Sequence, residues 1–226
     1  LGELEKPDFA VFADTGWEPK VVYKHLSWLQ GFAEERGIPV HRTSCGENIR
    51  EREVAQARIP GSTGERSGTS IPIFTASESG AYGMLRRSCT GNYKINPLEK
   101  FIKKAVVIPR KPRNGALPLV EQWFGISIDE AHRMRMSPRW WSVYHYPLIE
   151  AEMSRDDCIQ WLDKHGFERP WRSACIGCPF KGDKEWRWLK ENSPEEWEDA
   201  CTFDEQMRVN ARLRNEAYLH RSLKPL

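Results

Sequence analysis

The chain has 226 residues, 39% of them hydrophobic and 11% aromatic, which provides for a packed core and excludes wholesale disorder. Its 34 basic and 32 acidic residues leave a net charge of +2, a bias too weak to demand or to exclude nucleic acid. No apolar run approaches the roughly 18 residues of a membrane-spanning helix, and the acidic start Leu1-Gly2-Glu3-Leu4-Glu5 is no signal peptide.

A soluble cytoplasmic protein without a membrane partner is therefore expected, and its six cysteines read as ligands or free thiols rather than disulfides. The chain opens almost directly into a strand and without methionine, as though cut from something longer.

Asp8 to Ala13 is a short, mostly apolar run, the pattern of a strand buried on both faces of a parallel sheet. Asp14-Thr15-Gly16 breaks it. A helix should follow from about Pro19, with Val22, Leu26, Leu29 and Ala33 on one face. Gly37 stops that helix, Ile38 to His41 resembles a second strand, and a second helix is expected around Asn48 to Arg58. This order of strand, helix and strand predicts an α/β fold, a Rossmann-like doubly wound parallel sheet.

Residues 59–70 are rich in Gly, Ser and Thr and read as a mobile loop, after which Ile71 to Thr75 resumes as a strand. Helices are expected at 96–106, 127–135 and 154–165, the last opening on a capping-box-like Ser154-Arg155-Asp156-Asp157. Residues 182–217 read as two charged amphipathic helices joined near Ser193-Pro194. Eight of the ten tryptophans lie between Trp123 and Trp197, which points to a separate packing unit in the C-terminal half. The expected partition is a nucleotide-binding α/β domain over 1–150 and a helical, cysteine-containing region over 151–226.

Three features carry chemistry. Asp14, Thr15 and Gly16 occupy the carboxyl end of a strand facing a helix N-terminus, where α/β sheets place their ligands. Cys175-Ile176-Gly177-Cys178 is a C-x2-C knuckle whose spacing turns two thiolates toward one metal, and Cys89 and Cys201 are the best candidates for the remaining ligands. Cys45 and Cys158 read as ordinary residues. Basic residues cluster around these elements: Arg86, Arg87 and Lys94, then Arg133, Arg135 and Arg139, then Arg172. Guanidinium groups converging on phosphate or sulfate give such a pattern, and so do solvated helix faces.

Taken in order, these motifs resemble the phosphoadenosine-phosphosulfate (PAPS) reductase family of PP-loop ATP pyrophosphatases, including its phage and bacterial branches. Phe12 to Pro19 is similar to the family's strand ending in Asp-Thr-Gly before a proline-started helix. Cys89 to Leu98 is similar to its Cys-Cys, Arg-Lys and Pro-Leu element. Tyr146-Pro147-Leu148-Ile149 with the following helix, and then Trp171 to Pro179, resemble its two later segments.

The resemblance implies an adenine nucleotide α-hydrolase-like fold. It also implies chemistry at the α-phosphate of ATP or a related adenylyl nucleotide, aided by Mg²⁺, and in several branches a 4Fe–4S cluster. Asp14, Thr15 and Gly16 would line the nucleotide, Arg87 and Lys94 would face phosphate or sulfate, and Cys89, Cys175 and Cys178 would ligate the cluster, with Cys201 as fourth ligand. Branches that modify DNA or thiolate tRNA bring a sulfur donor and nucleic acid into view as partners.

Three departures accompany it. The family's Ser-Gly-Gly-x-Asp-Ser loop would precede the Asp8 strand and has no counterpart in these residues. Thr90 stands where the cluster-binding branch has its second adjacent cysteine, and the tail Tyr218 to Leu226 has no nucleophilic cysteine. No catalytic nucleophile can be named. One alternative is a reductase of adenosine phosphosulfates; another is a zinc-stabilised module binding nucleic acid or protein, with the four cysteines as a closed thiolate site.

Overall fold

The computed structural model describes residues 4–58, 69–76, 82–109, 118–209, 213 and 216–226. In chain order its elements are β1 (Ala10–Asp14), α1 (Lys20–Glu34), β2 (Val40–Ser44), α2 (Ile49–Ala57), β3 (Phe74–Ala76), β4 (Tyr82–Met84), a π-helical turn (Thr90–Ile95) and α3 (Asn96–Ala105). There follow β5 (Val120–Trp123), a 3-10 segment (Ile128–Arg133), β6 (Ser142–His145), α4 (Pro147–Glu150), α5 (Arg155–Lys164), α6 (Asp183–Asn192), α7 (Pro194–Arg208) and β7 (Ala217–Tyr218). The chain is α/β with parallel strand pairs. Its described strands form three small sheets, β1–β2, β4–β3–β7 and β5–β6, rather than the one continuous sheet expected from the sequence. Most of the expected loop at 59–70 lies outside the described residues. Among the described residues no helix is long and apolar enough to cross a membrane.

Two compact units emerge, the first from Leu1–Glu99 with Trp171–Leu226 and the second from Lys100–Pro170, a division that differs from the expected boundary at 150. In unit 1, β1 and β2 run parallel in register from Ala10 opposite Val40 to Asp14 opposite Ser44. Between them α1 turns Val22, Leu26 and Ala33 inward, and its remaining expected core residue, Leu29, is 37% exposed. Gly37 ends the helix at φ +67°, a conformation that costs a residue without Cβ nothing. Asn48 caps α2, its Oδ1 accepting the Arg50 N–H at 2.9 Å, while its Nδ2 donates to the Gly16 carbonyl at 2.8 Å. One side chain thus fixes both the start of α2 and the turn after β1.

The core of unit 1 gathers Tyr93, Phe203, Leu189, Met207 and Leu219 around Trp17, whose ring lies 4.6 Å from that of Phe203. Each such side chain contributes about 1.5–3 kcal/mol by leaving water. Buried carboxylates do the stitching. Glu53 on α2 takes the Ser70 N–H on both oxygens, at 2.8 and 3.0 Å, and Asp204 on α7 takes the Leu219 N–H at 2.8 Å.

In unit 2, β5 and β6 are parallel, from Val120 opposite Ser142 to Trp123 opposite His145. The Tyr146 hydroxyl accepts the Arg135 N–H at 2.9 Å and donates to the Arg135 carbonyl at 2.7 Å, pinning the strand-like stretch before β6. Ser154 and Asp157 form the expected capping box of α5. The helix expected at 127–135 is instead a short 3-10 segment broken at Glu130. Its apolar Ile128 is 45% exposed, so no buried stripe holds an α-helix there.

Candidate functional site

The end of β1 is a polar cluster assembled from four parts of unit 1. Gly16 takes φ +75° directly after Asp14 and Thr15, which lets the backbone reverse into α1. The Asp14 carboxylate accepts the Gly16 N–H and the Tyr23 hydroxyl, each at 2.8 Å, and pairs with the Arg42 guanidinium from β2. Burial disfavours its charge, but these three donors outweigh that and hold its pKa below the ordinary carboxylate value. Asp14 is therefore committed to shaping the turn.

Glu18 is the hub of the cluster. Its side chain is fully buried, and its Oε1 accepts the Thr15 hydroxyl at 3.3 Å and meets the Lys94 ammonium at 3.4 Å. Its Oε2 accepts the Ser173 hydroxyl at 3.2 Å. Lys94 reaches this point because the π-helical turn winds Tyr93 into the core and leaves Lys94 one position on, a third exposed. Such turns often mark functional positions.

The C-x2-C knuckle completes the cluster. The Cys175 sulfur lies 3.2 Å from Thr15 Oγ1, and the Ile176 N–H donates to the Trp17 carbonyl at 2.8 Å, a clasp across 160 residues. The Cys178 N–H returns to the Cys175 carbonyl at 3.0 Å and closes the turn. Gly177 is dictated by space, since a Cβ there would lie 2.2 Å from the Trp17 ring. Burial, reinforced by the Glu18 charge, pushes the Cys175 thiol up to about 12, so it is protonated and unreactive at neutral pH. Lys181, also buried, has its ammonium pushed below the ordinary lysine value by desolvation, opposed by nearby Cys178 and Glu185.

The N-terminus of α1, expected to offer its amides to a ligand, is already engaged. The Lys20 N–H donates to Glu196 Oε1 at 2.6 Å, so a buried carboxylate from the first turn of α7 caps α1. Nearby, Trp17 Nε1 donates to Asp199 at 2.6 Å and Arg50 pairs with the same carboxylate at 2.6 Å. Glu18, Ser173, Lys181 and Glu196 were not singled out from sequence, because only the tertiary fold brings them to β1.

Of the expected site residues, Thr15, Lys94 and Cys175 share one cluster, with Asp14 and Gly16 forming its floor. Arg87 has its guanidinium 5.2 Å from the ring centre of Phe180, two residues past the knuckle. Arg172 pairs with Glu185 at 3.2 Å, and Arg133 with Glu130 at 2.5 Å in unit 2. Cys89 donates its N–H to the Ser70 carbonyl at 2.9 Å and packs against the core of unit 1. Cys201 is on α7, where burial and the neighbouring Asp204 raise its pKa. Among the described residues no three His, Cys, Asp or Glu side chains converge as a metal-binding group.

Comparison with family models, with curated proteins and with solved structures finds no match to this chain.

Proposed function

We propose that unit 1 binds ATP or a related adenylyl nucleotide at the carboxyl end of β1 and acts at its α-phosphate, in the manner of PAPS-reductase-like PP-loop enzymes. The doubly wound sheet of an adenine nucleotide α-hydrolase belongs to the same proposal, and the parallel β1–α1–β2 unit supports it. The observation that carries the reading is the pair of buried Glu18 with part-exposed Lys94 beside the Thr15 hydroxyl, at the position where α/β folds bind their ligands.

In this reading Lys94 neutralises phosphate charge, and Glu18 holds its ammonium in place. Thr15 keeps its hydroxyl on Glu18 and so helps hold that carboxylate, and Gly16 lets the backbone come close. Cys175, protonated and hydrogen-bonded to Thr15, positions that hydroxyl and is not the attacking group. No step is routed through a metal cluster.

Calorimetric titration with ATP, AMP and adenosine 5′-phosphosulfate tests the reading. Saturable binding of at least one of them is expected, weakened roughly tenfold or more by Lys94→Ala, which removes one charge-assisted phosphate contact. Binding of none of the three, or equal affinity in Lys94→Ala with an unchanged melting curve, would overturn it.

A further inference from the structure

A second polar constellation of unit 1 follows β7. Residues 219–226 form a turn held at both ends by one buried carboxylate: Asp204 accepts the Leu219 N–H at 2.8 Å on Oδ1 and the Leu226 N–H at 3.4 Å on Oδ2. Leu219 is fully buried and Leu226 packs against the core, so the turn between them is anchored on both sides. His220, Arg221 and Ser222 stand on this turn, and the first two bond Asp183, the first residue of α6.

Ser222, His220 and Asp183 are joined in line. Ser222 Oγ lies 2.7 Å from His220 Nδ1, and His220 Nε2 lies 3.1 Å from Asp183 Oδ1. The backbone decides the tautomer. The Ser222 N–H donates to Nδ1 at 3.2 Å, so Nδ1 carries a lone pair and the ring proton sits on Nε2, toward the carboxylate. The Ser222 hydroxyl therefore donates to a basic nitrogen. Arg221 donates to the second Asp183 oxygen at 2.9 Å and fixes that carboxylate in turn. The imidazole is 23% exposed and bonded on both nitrogens, while Ser222 is open to solvent. A hydroxyl, a base and an orienting carboxylate, each within hydrogen-bond reach of the next, are the parts that nucleophilic acyl transfer uses. Ser27 gives the contrast: it is also exposed, but its hydroxyl donates to the Tyr23 carbonyl at 3.1 Å, a group that takes no proton.

We propose that Ser222 is a nucleophile toward carboxylic esters, with His220 as its general base and Asp183 as the residue that positions His220. Ser222 Oγ attacks the acyl carbon, and its proton passes to His220 Nδ1. The bond from the acyl carbon to the leaving oxygen then breaks, and that oxygen takes the proton from Nδ1. Water attacks the acyl-serine by the same route, its proton passing through Nδ1 to the serine oxygen, so that ester and water become acid and alcohol. Because Ser222 stands in the open, the class it takes is the small ester with a weakly basic leaving oxygen, whose departure needs the least help. These residues are distinct from those of the adenylyl site, which calorimetry with ATP and Lys94→Ala tests on its own.

A fluorophosphonate, from which an activated serine oxygen displaces fluoride, and 4-nitrophenyl acetate are the probes, each read by peptide mass spectrometry. The phosphonyl group is expected on Ser222, entering roughly tenfold or more faster than on Ser27, since a positioned general base contributes about 10²–10⁴-fold. The acetyl group is expected on the same oxygen. His220→Gln and Asp183→Asn, each with an unchanged melting curve, should slow both reactions by about tenfold or more, and Asp183→Glu should restore part of the rate. Labelling of Ser222 no faster than of Ser27, labelling undiminished in His220→Gln, or acetyl groups recovered only on lysines overturns the proposal. Full rate in Asp183→Asn, or no recovery in Asp183→Glu, overturns the role given to Asp183.

Discussion

The two units solve the problem of cohesion differently. Of the 24 buried apolar residues among those described, only Ile102, Trp141 and Tyr146 belong to unit 2. Unit 1 closes around an aromatic and aliphatic core and fastens distant segments to it with buried carboxylates such as Glu53, Glu196 and Asp204. Unit 2 is smaller, buries little, and relies on backbone pairing of β5 with β6 and on pins such as Tyr146 to Arg135. It leaves Leu119, Trp123, Ile128 and Met134 partly exposed. A small unit cannot cover all its apolar surface. Here the uncovered part coincides with a basic stretch, residues 100–141, which carry nine Lys and Arg against three Asp and Glu. Unit 1, in contrast, spends its polar groups internally, and its site is a sealed cluster with Lys94 as the outward contact.

The sharpest way to break this comparison is to make the same substitution in both units. Gly177→Ala in unit 1 drives a methyl group to within 2.2 Å of the Trp17 ring, which is itself fixed by Phe203 and Asp199. Overpacking against so constrained a ring is expected to cost about 2–3 kcal/mol. Gly125→Ala in unit 2 meets only Leu148 Cδ1, at 4.0 Å, and should change stability by no more than about 0.5 kcal/mol. Urea unfolding of both variants measures the difference. Equal losses would mean that the knuckle yields to the methyl group and that Trp17 does not hold it.

A second measurement sharpens the account of the site through pH. The Cys175 thiol, pushed up to about 12 by burial, holds its proton in the folded chain while the unfolded chain loses it near 9. Between those values the folded state binds more protons, so this group's stabilising contribution is complete below pH 9 and declines as pH rises toward 12. Tyr23, raised to about 12 by burial and then by its bond to Asp14, has the same sign, whereas Lys181, lowered by burial, has the opposite one. Removing Cys175 isolates its share: the stability difference between the native chain and Cys175→Ser should shrink steadily between pH 8 and pH 11. At pH 8 burial keeps Cys175 protonated, so iodoacetamide should label exposed Cys45 well before it. Rapid labelling of Cys175 would show that the Thr15 contact opens readily.

Much of unit 1 was legible because its signals are local. Pro19, Gly37, Asn48 and the join at Ser193-Pro194 each act within a turn of themselves, and α1, α2, α6 and α7 lie where those residues place them. Thr15, Lys94 and Cys175 were also named in advance, but not what unites them. Glu18 sits between Trp17 and Pro19 with no periodicity or motif to mark it, and its role arises from Lys94 and Ser173, 76 and 155 residues away. The metal-ligand set was read from the C-x2-C spacing and from the resemblance, and the fold puts Cys201 on α7 with Asp204 three residues on. In unit 2 the basic residues were visible as a cluster, yet the whole-chain charge hid their segregation. The 3-10 segment was misread because polar residues with scattered apolar ones imitate a helix until burial is known.

The smallest expected effect concerns the junction where α3 ends in unit 2. Val107 adopts φ +54°, a left-handed conformation that crowds the Cβ of any residue and most of all a β-branched one. The conformation is set by the helix end itself: the Val106 N–H bonds the Ile102 carbonyl at 2.9 Å and the Ile108 N–H reaches back to the Lys103 carbonyl at 3.4 Å. Glycine is the usual occupant of such a position, and the valine side chain buries too little to recover the strain. Relief of about 1–2 kcal/mol is partly offset by the greater freedom of glycine in the unfolded chain, about 0.5–1 kcal/mol. Val107→Gly should therefore stabilise unit 2 by somewhat under about 1 kcal/mol, seen as slower amide exchange at the end of α3. A loss of stability would mean that the valine side chain has a packing partner when the chain is folded in solution.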